Sequence, residues 1–108
     1  MKQFLFIFSF LLSFNCFANE GLGFYSGNEI HRRLTSSVLQ DQAFASGYIM
    51  GAVDGFIDTL KKDKCNTKGV QAQQIIDTVK IYLAENPNIR QYTAQSSVEV
   101  AFIKGFCR

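Results

Sequence analysis

Few side chains in this sequence could support acid–base chemistry or bind a metal. Asp54 and Asp58 are four residues apart, so a helix would place both carboxylates on one face, where such pairs can transfer protons or bind a cation. Lysines follow Asp58 at three and four residues, which is the usual ion-pairing arrangement on a helix surface. We therefore expect no catalytic pair here, and we expect Asp54 to hydrogen-bond a neighbouring helix end or a tyrosine hydroxyl.

The remaining candidates for chemistry are equally isolated. His31 is the only histidine, it stands beside two arginines with no nucleophile nearby in sequence, and a surface position is expected. The lysines between residues 61 and 68 are interleaved with Asp58 and Asp63, which is typical of a solvated surface, and an acidic patch on a partner is the alternative contact. CxxC and HExxH motifs, a Gly-rich phosphate loop and a hydrolase elbow do not occur. The sequence therefore predicts no catalytic, metal or cofactor site, and a binding protein rather than an enzyme.

The first 18 residues differ in composition from the rest of the chain. They hold six of the 11 phenylalanines, one lysine at position 2 and no carboxylate. A positive start, an apolar run and the small residues Cys16 and Ala18 predict a secretory signal peptide that is cleaved after Ala18. An uncleaved anchor would need about 18–20 apolar residues, and a lipoprotein signal would need small residues before Cys16, where phenylalanine and asparagine stand. We expect a mature chain of residues 19–108 in the bacterial periplasm.

The predicted mature chain has the size and charge of one small binding domain. Residues 19–108 carry ten basic and nine acidic side chains and one proline. About 90 residues form a single domain, which excludes a two-domain enzyme. The near-neutral charge argues against a nucleic-acid-binding protein, and the apolar content argues against a disordered chain.

Two cysteines, Cys65 and Cys107, remain after removal of the signal peptide. An even number of cysteines in an oxidising compartment predicts a disulfide, which would close a loop of about 43 residues and contribute on the order of 4 kcal/mol. A nucleophile or a metal ligand is the alternative, but neither cysteine has a histidine or carboxylate at supporting spacing.

Apolar residues recur at helical spacing in four stretches. They predict helices over residues 28–40, 41–62, 70–85, and from 89 or 90 to 104, the last with Tyr92 on its apolar face. Pro87 ends the third helix, and Gly105 is expected to cap the fourth. Because no alternating strand pattern occurs, the predicted fold is all-α, a compact bundle of about four helices with one disulfide.

The second predicted helix contains three glycines at intervals of four, Gly47, Gly51 and Gly55. Each glycine costs roughly 1 kcal/mol against alanine in a helix interior. Such a row predicts that another backbone packs closely against this side of the helix.

The residues from Phe44 to Asp54, FASGYIMGAVD, resemble the F-C-x-G-Y-x-x-G-x-x-D signature of the Rap/Tai family, the periplasmic immunity proteins of type VI secretion. The resemblance extends over nearly all of the mature chain, and its further landmarks are Cys65, Gly69-Val70, Gln74, Val79, Tyr82-Leu83, Asn86-Pro87, Ala101 and Phe106-Cys107. The signature often has a cysteine where this sequence has Ala45, and the first predicted helix contains no cysteine that could pair with it. A second disulfide is therefore absent.

The resemblance implies an all-helical, secreted and dimeric protein that binds a cell-wall amidase effector and blocks its active-site groove. It implies that Cys65 and Cys107 form a disulfide with each other. Phe44, Gly47, Tyr48, Gly51 and Asp54 are then structural: the glycines admit a neighbouring helix, and Tyr48 and Asp54 form a buried polar contact. No nucleic-acid partner, no membrane contact after signal cleavage and no cofactor are expected.

The signature does not specify the inhibitory surface. Our hypothesis is that a polar loop enters the effector groove, and the best candidate is the turn around the rigid Pro87, with contacts from Asn86, Asn88, Arg90 and Gln91. An ordinary interhelical turn is the alternative. The other functions considered are a periplasmic stress chaperone and, last, an enzyme of unknown type.

Overall fold

The computed structural model describes residues 24–60 and 64–107. The helices are α1 (Gly27–Leu34), α2 (Leu39–Leu60), α3 (Ala72–Glu85) and α4 (Ala94–Phe106), and a 3-10 helix (Ile89–Gln91) lies between α3 and α4. No strand occurs in these two ranges, so the predicted all-α bundle is confirmed. The predicted signal peptide, its cleavage site and part of the lysine-rich segment lie outside the described residues.

The first helix is shorter than predicted. The Oγ atom of Ser26 accepts a hydrogen bond from the backbone N–H of Glu29 at 3.1 Å, which caps the start of α1. The helix ends at Leu34, where the hydroxyl of Thr35 donates to the carbonyl of His31 at 3.0 Å and Ser36 Oγ accepts from the N–H of Val38. Hydroxyls that bond to nearby backbone compete with helical hydrogen bonds, and the predicted extension to residue 40 was wrong for this reason.

The apolar face of α2 packs in the core, and its glycines do not. The buried residues of this helix are Ala45, Ile49, Val53, Phe56 and Leu60. Gly47, Gly51 and Gly55 are exposed, and a Cβ atom added to any of them would have no neighbour within 4 Å. The predicted close helix approach at this row was therefore wrong, because residues two positions from the buried row lie on the opposite side of a helix.

Close contacts occur at two other glycines. A Cβ atom on Gly105 would lie 2.5 Å from Cγ2 of Thr78, and a Cβ atom on Gly27 would lie 2.8 Å from Cα of Arg90. Gly105 thus allows α3 and α4 to pack together. The prediction that Gly105 caps the last helix was wrong, since α4 continues to Phe106 and Cys107 is the cap.

The four helices share one apolar core. Phe102 of α4 is fully buried, and its ring contacts Phe56 of α2 edge-on at a centroid distance of 5.5 Å. The other large side chains without solvent exposure come from all four helices and are Ile30, Ile49, Val79, Leu83 and Val98. None of the described helices has the length and apolarity needed to cross a bilayer.

Cys65 and Cys107 form a disulfide, as predicted. The bond joins the segment after α2 to the end of α4, and the backbone N–H of Asn66 donates to the carbonyl of Phe106 at 2.6 Å beside it. Two chain segments 42 residues apart in sequence are thereby fixed to each other.

Candidate functional site

The loop between α3 and α4, residues 86–93, contains all four predicted contact residues. The structure divides them. Asn88 and Gln91 are exposed, whereas Asn86 and Arg90 are half-buried. The side-chain amide of Asn86 donates to the carbonyl of Tyr82 at 2.9 Å, so Asn86 holds the end of α3. We call residues 86–93 the contact loop.

The sequence predicted one helix from residue 89 or 90 to residue 104, but the structure has a break within this range. The break changes the position of Tyr92. The 3-10 helix ends at Gln91, and α4 begins only at Ala94, where the hydroxyl oxygen of Thr93 accepts from the N–H of Ser96 at 3.3 Å. Tyr92 lies in the break between them and is 59% exposed. The prediction that Tyr92 lies on the apolar face of the fourth helix was therefore wrong.

A cleft of about 610 Å³ is lined by residues of the contact loop and by residues at and before the start of α1. Two exposed aromatic residues line it, Phe24 at 86% exposure and Tyr92. We call this feature the aromatic cleft; its lining residues are Phe24, Tyr25, Ser26, Glu29, Gln91, Tyr92 and Thr93. Sequence reasoning missed Phe24 because one aromatic residue before a helix produces no periodic pattern.

Backbone hydrogen bonds hold the two sides of the aromatic cleft together. The N–H of Gly27 donates to the carbonyl of Tyr92 at 2.9 Å, and the N–H of Ala94 donates to the carbonyl of Tyr25 at 2.8 Å. Ser26 and Thr93 form an isolated antiparallel bridge between these bonds. These bonds fix the starts of α1 and α4 to each other. The exposed ring of Tyr92 therefore projects from backbone that is hydrogen-bonded on this side.

The acidic residue in the cleft is already paired. Glu29 accepts hydrogen bonds from Arg32 at 2.9 Å and from Arg33 at 3.1 Å, and these bonds hold the pKa of its carboxyl below its ordinary value. Arg33 also contacts Asp41 at 3.4 Å and lies over the ring of Phe44 at 4.4 Å from the centroid. The cleft therefore offers aromatic surface beside a neutralised ion-pair network.

The signature residues separate into two groups. Phe44 and Tyr48 pack with Tyr25 in an aromatic cluster, with centroids 5.1 and 6.0 Å from the Tyr25 ring. Burial, with a smaller effect of Tyr25, raises the pKa of Tyr48. Gly47, Gly51 and Asp54 are on the exposed face of α2. The predicted buried contact between Tyr48 and Asp54 was wrong, because six residues along a helix place the two side chains on different faces.

Asp54, Asp58 and His31 were the candidates for acid–base or metal chemistry in the sequence. Asp54 and Asp58 both lie on the exposed side of α2, and residues 24–60 and 64–107 contain no cluster of three or more possible metal ligands. His31 is half-buried, and its Nδ1 atom is shielded from solvent without a hydrogen-bond partner. The prediction of a surface histidine was wrong, because His31 is only partly exposed and the charges of Arg90 and Lys80 on neighbouring elements act on its ring.

The chain matches the family of Rap1a immunity proteins over residues 26–106, a range that contains all four helices and the contact loop. No individual curated protein matches it. The match covers most of the sequence and agrees with the resemblance carried by Phe44 to Asp54. This protein belongs to the Rap1a immunity protein family.

Proposed function

We propose that this immunity protein resides in the periplasm and inhibits a peptidoglycan amidase effector of a type VI secretion system. An immunity protein protects its producer by binding a toxic effector, and that general role follows from family membership. The amidase class, the secretion system and the compartment are our proposals. They rest on the signature residues and on the signal-like first 18 residues.

The aromatic cleft and the adjoining contact loop are the proposed binding surface. The observation that carries this assignment is the pair of exposed aromatic rings, Phe24 and Tyr92, beside the backbone hydrogen bonds that join the start of α1 to the contact loop. Aromatic side chains are frequent hot spots at protein interfaces, and an ordered frame reduces the entropy lost on binding. Exposed Asn88 and Gln91 supply polar contacts around them.

The compartment is proposed on two grounds. The first 18 residues have the three regions of a secretory signal peptide, and the Cys65–Cys107 disulfide belongs to the class of bond that persists in oxidising compartments. Intact-mass analysis of a periplasmic fraction tests this proposal. A mature chain starting at Asn19 with two oxidised cysteines is expected; a cytoplasmic protein that starts at Met1, or an added lipid mass, would contradict it.

A homodimer is also proposed, with the exposed face of α2 as its contact. Among the described residues, a Cβ atom added to Gly47, Gly51 or Gly55 meets no atom within 4 Å. This strip of small residues would let a second helix approach closely. Sedimentation equilibrium of the wild type and of Gly51→Arg tests the assignment. A wild-type dimer that becomes monomeric in Gly51→Arg is expected, while a wild-type monomer at micromolar concentration would contradict the dimer.

The central experiment is affinity capture from cells that encode the neighbouring secretion genes, followed by a peptidoglycan hydrolysis assay of the captured partner. Stoichiometric capture of an amidase, with loss of its activity in the complex, is expected. Capture of an effector with a different activity would disprove the amidase assignment and keep the immunity role. Broad binding to denatured proteins at low pH would instead support a stress chaperone.

A further inference from the structure

Two buried nitrogen atoms on facing elements lack hydrogen-bond partners. They are Nδ1 of His31 in α1 and Nε of Arg90 in the 3-10 helix, and neither is exposed to solvent. A buried polar atom without a partner costs about 1–3 kcal/mol, so each of these atoms calls for an explanation.

The backbone brings the two residues to the same place. A Cβ atom on Gly27 would lie 2.8 Å from Cα of Arg90 and 2.9 Å from its carbonyl oxygen. His31 follows Gly27 by four residues, so both lie on one face of α1. Arg90 therefore lies against the first turn of α1, on the same face of the helix as His31.

The chemistry of the two nitrogens is complementary. Nε of arginine is always a donor, whereas the unprotonated ring nitrogen of a neutral histidine is an acceptor. Burial, followed by the charges of Arg90 and Lys80, lowers the pKa of His31 and keeps its ring neutral. Lys80 belongs to α3 and Arg90 to the 3-10 helix; on α1 itself, Arg32 and Arg33 are paired with Glu29.

We propose that His31 is a positioning residue for the binding surface: its neutral Nδ1 accepts a hydrogen bond from Nε–H of Arg90 and holds the contact loop against α1. The two nitrogens are not bonded to each other in the structure, so forming this bond requires both side chains to reorient. Protonation of His31 removes the acceptor and places a third positive charge beside Arg90 and Lys80. The loop is then released in acid, so effector binding weakens as the pH falls. The effect on binding rests on the proposed function; the hydrogen bond itself does not.

Nuclear magnetic resonance of the full mature chain tests the hydrogen bond without an effector. His31 is the only histidine, so its ring nitrogens are assigned unambiguously. The expected result is a neutral ring with the proton on Nε2, a titration midpoint below 6.5, and a slowly exchanging Arg90 Nε–H. A proton on Nδ1 at neutral pH, or a midpoint at 6.5 that Arg90→Gln leaves unchanged, would overturn the proposal.

Two substitutions separate positioning from simple packing. His31→Asn keeps an acceptor near the position of Nδ1 and cannot titrate, while His31→Leu fills the space without an acceptor. Slow exchange of Arg90 Nε–H should persist in His31→Asn and be lost in His31→Leu. If both variants exchange alike while both remain folded by circular dichroism, His31 has only a packing role.

The captured amidase then serves as the binding probe. Wild-type affinity should fall by about tenfold on acidification through the His31 midpoint, His31→Leu should be weakened by about tenfold at pH 7.5, and His31→Asn should bind nearly as the wild type at both pH values. A wild-type pH profile shared by His31→Asn would overturn the proposal. Failure to capture any hydrolase would refute the proposed function, and the resonance measurements would still decide the His31–Arg90 hydrogen bond.

Discussion

Gly27 and Arg90 are in direct backbone contact: a Cβ atom on Gly27 would lie 2.8 Å from Cα of Arg90, and it would also overlap Oγ of Ser97. Ser97 Oγ donates to the carbonyl of Ile89 at 2.8 Å, so the same point joins α1, the 3-10 helix and α4. The contact loop is held in place by this junction, which leaves no room for a side chain at residue 27.

Replacing Gly27 with alanine should therefore destabilise the fold. Two of the three clashing atoms are backbone, which moves only with its neighbours, so we expect a loss of about 2 kcal/mol or more in the free energy of unfolding. Gly51→Ala is the matched control, because a Cβ atom there meets nothing within 4 Å and alanine gains up to about 1 kcal/mol in helix propensity. Urea denaturation of both variants at a concentration where the protein is monomeric measures the difference; equal effects would contradict the Gly27 contact.

Gly105 offers a test of the contact between α3 and α4. The added methyl group of Gly105→Ala would lie 2.5 Å from Cγ2 of Thr78, so we expect this variant to be less stable than Gly51→Ala by about 1–2 kcal/mol. Thr78→Ser removes Cγ2 and keeps the hydroxyl that donates to the carbonyl of Gln74 at 2.8 Å. The double variant should regain most of the loss in a double-mutant cycle. If the effects of the two substitutions on the free energy of unfolding simply add, the destabilisation by Gly105→Ala does not come from contact with Thr78.

The disulfide should supply a large share of the stability. Cys65 and Cys107 are separated by 42 residues in sequence, and the chain-entropy model assigns about 4 kcal/mol to a loop of this length. The double variant Cys65→Ser, Cys107→Ser should show this loss in denaturant unfolding at pH 7. A reducing agent should lower the wild type to the same midpoint and leave the double variant unchanged.

The stability of the protein should fall on mild acidification. Folding lowers the pKa of His31 from 6.5, so below pH 6.5 the unfolded chain binds a proton more readily than the folded chain does. The free energy of unfolding therefore decreases as the pH falls from 6.5 to the depressed pKa of folded His31. Thermal unfolding between pH 5 and 8 measures this change. His31→Asn should lack the His31 component, and Lys80→Gln should reduce it, because the lysine charge contributes to the shift.

Tyr92 should be a hot spot for effector binding. Truncation of an aromatic anchor at an interface costs about 2 kcal/mol or more, so Tyr92→Ala should lower the affinity at least tenfold. Ile81→Ala is the control, since Ile81 is equally exposed, at 59%, but lies on α3 outside the aromatic cleft. Calorimetric titration with the captured amidase compares them. A larger loss for Ile81→Ala would move the binding surface to α3.

The predicted polar contacts can be tested in the same titration. Asn88→Ala combined with Arg90→Ala removes one exposed and one half-buried side chain of the contact loop. We expect a loss above about 1 kcal/mol, which is the threshold for a hot-spot contribution. Asn86 is left out because its amide holds the end of α3. Asn88→Ala is also measured alone, since the half-buried Arg90 packs against α1 and its loss affects the position of the loop as well as binding.

The sequence by itself determined the fold class, the disulfide and the family. Helical periodicity is a local property, so the rows Ile49, Val53, Leu60 and Ile75, Val79, Leu83 could be assigned to core faces without knowledge of their partners. The pairing of Cys65 with Cys107 followed from the assignment of the third cysteine, Cys16, to the predicted signal peptide. The signature from Phe44 to Asp54 identified the family because it combines residue type with spacing.

Only the tertiary structure decided which elements touch and where the binding surface lies. Periodicity placed Gly47 inside a helix and Gly105 just after one, but close packing requires a neighbouring element, and Thr78 of α3 provides it only at Gly105. The exposure of Tyr92 depends on a break before α4 that is stabilised by Thr93 and by the carbonyl bond to Gly27. His31 and Arg90 are 59 positions apart in sequence, so their proximity is a consequence of how α1 packs against the 3-10 helix.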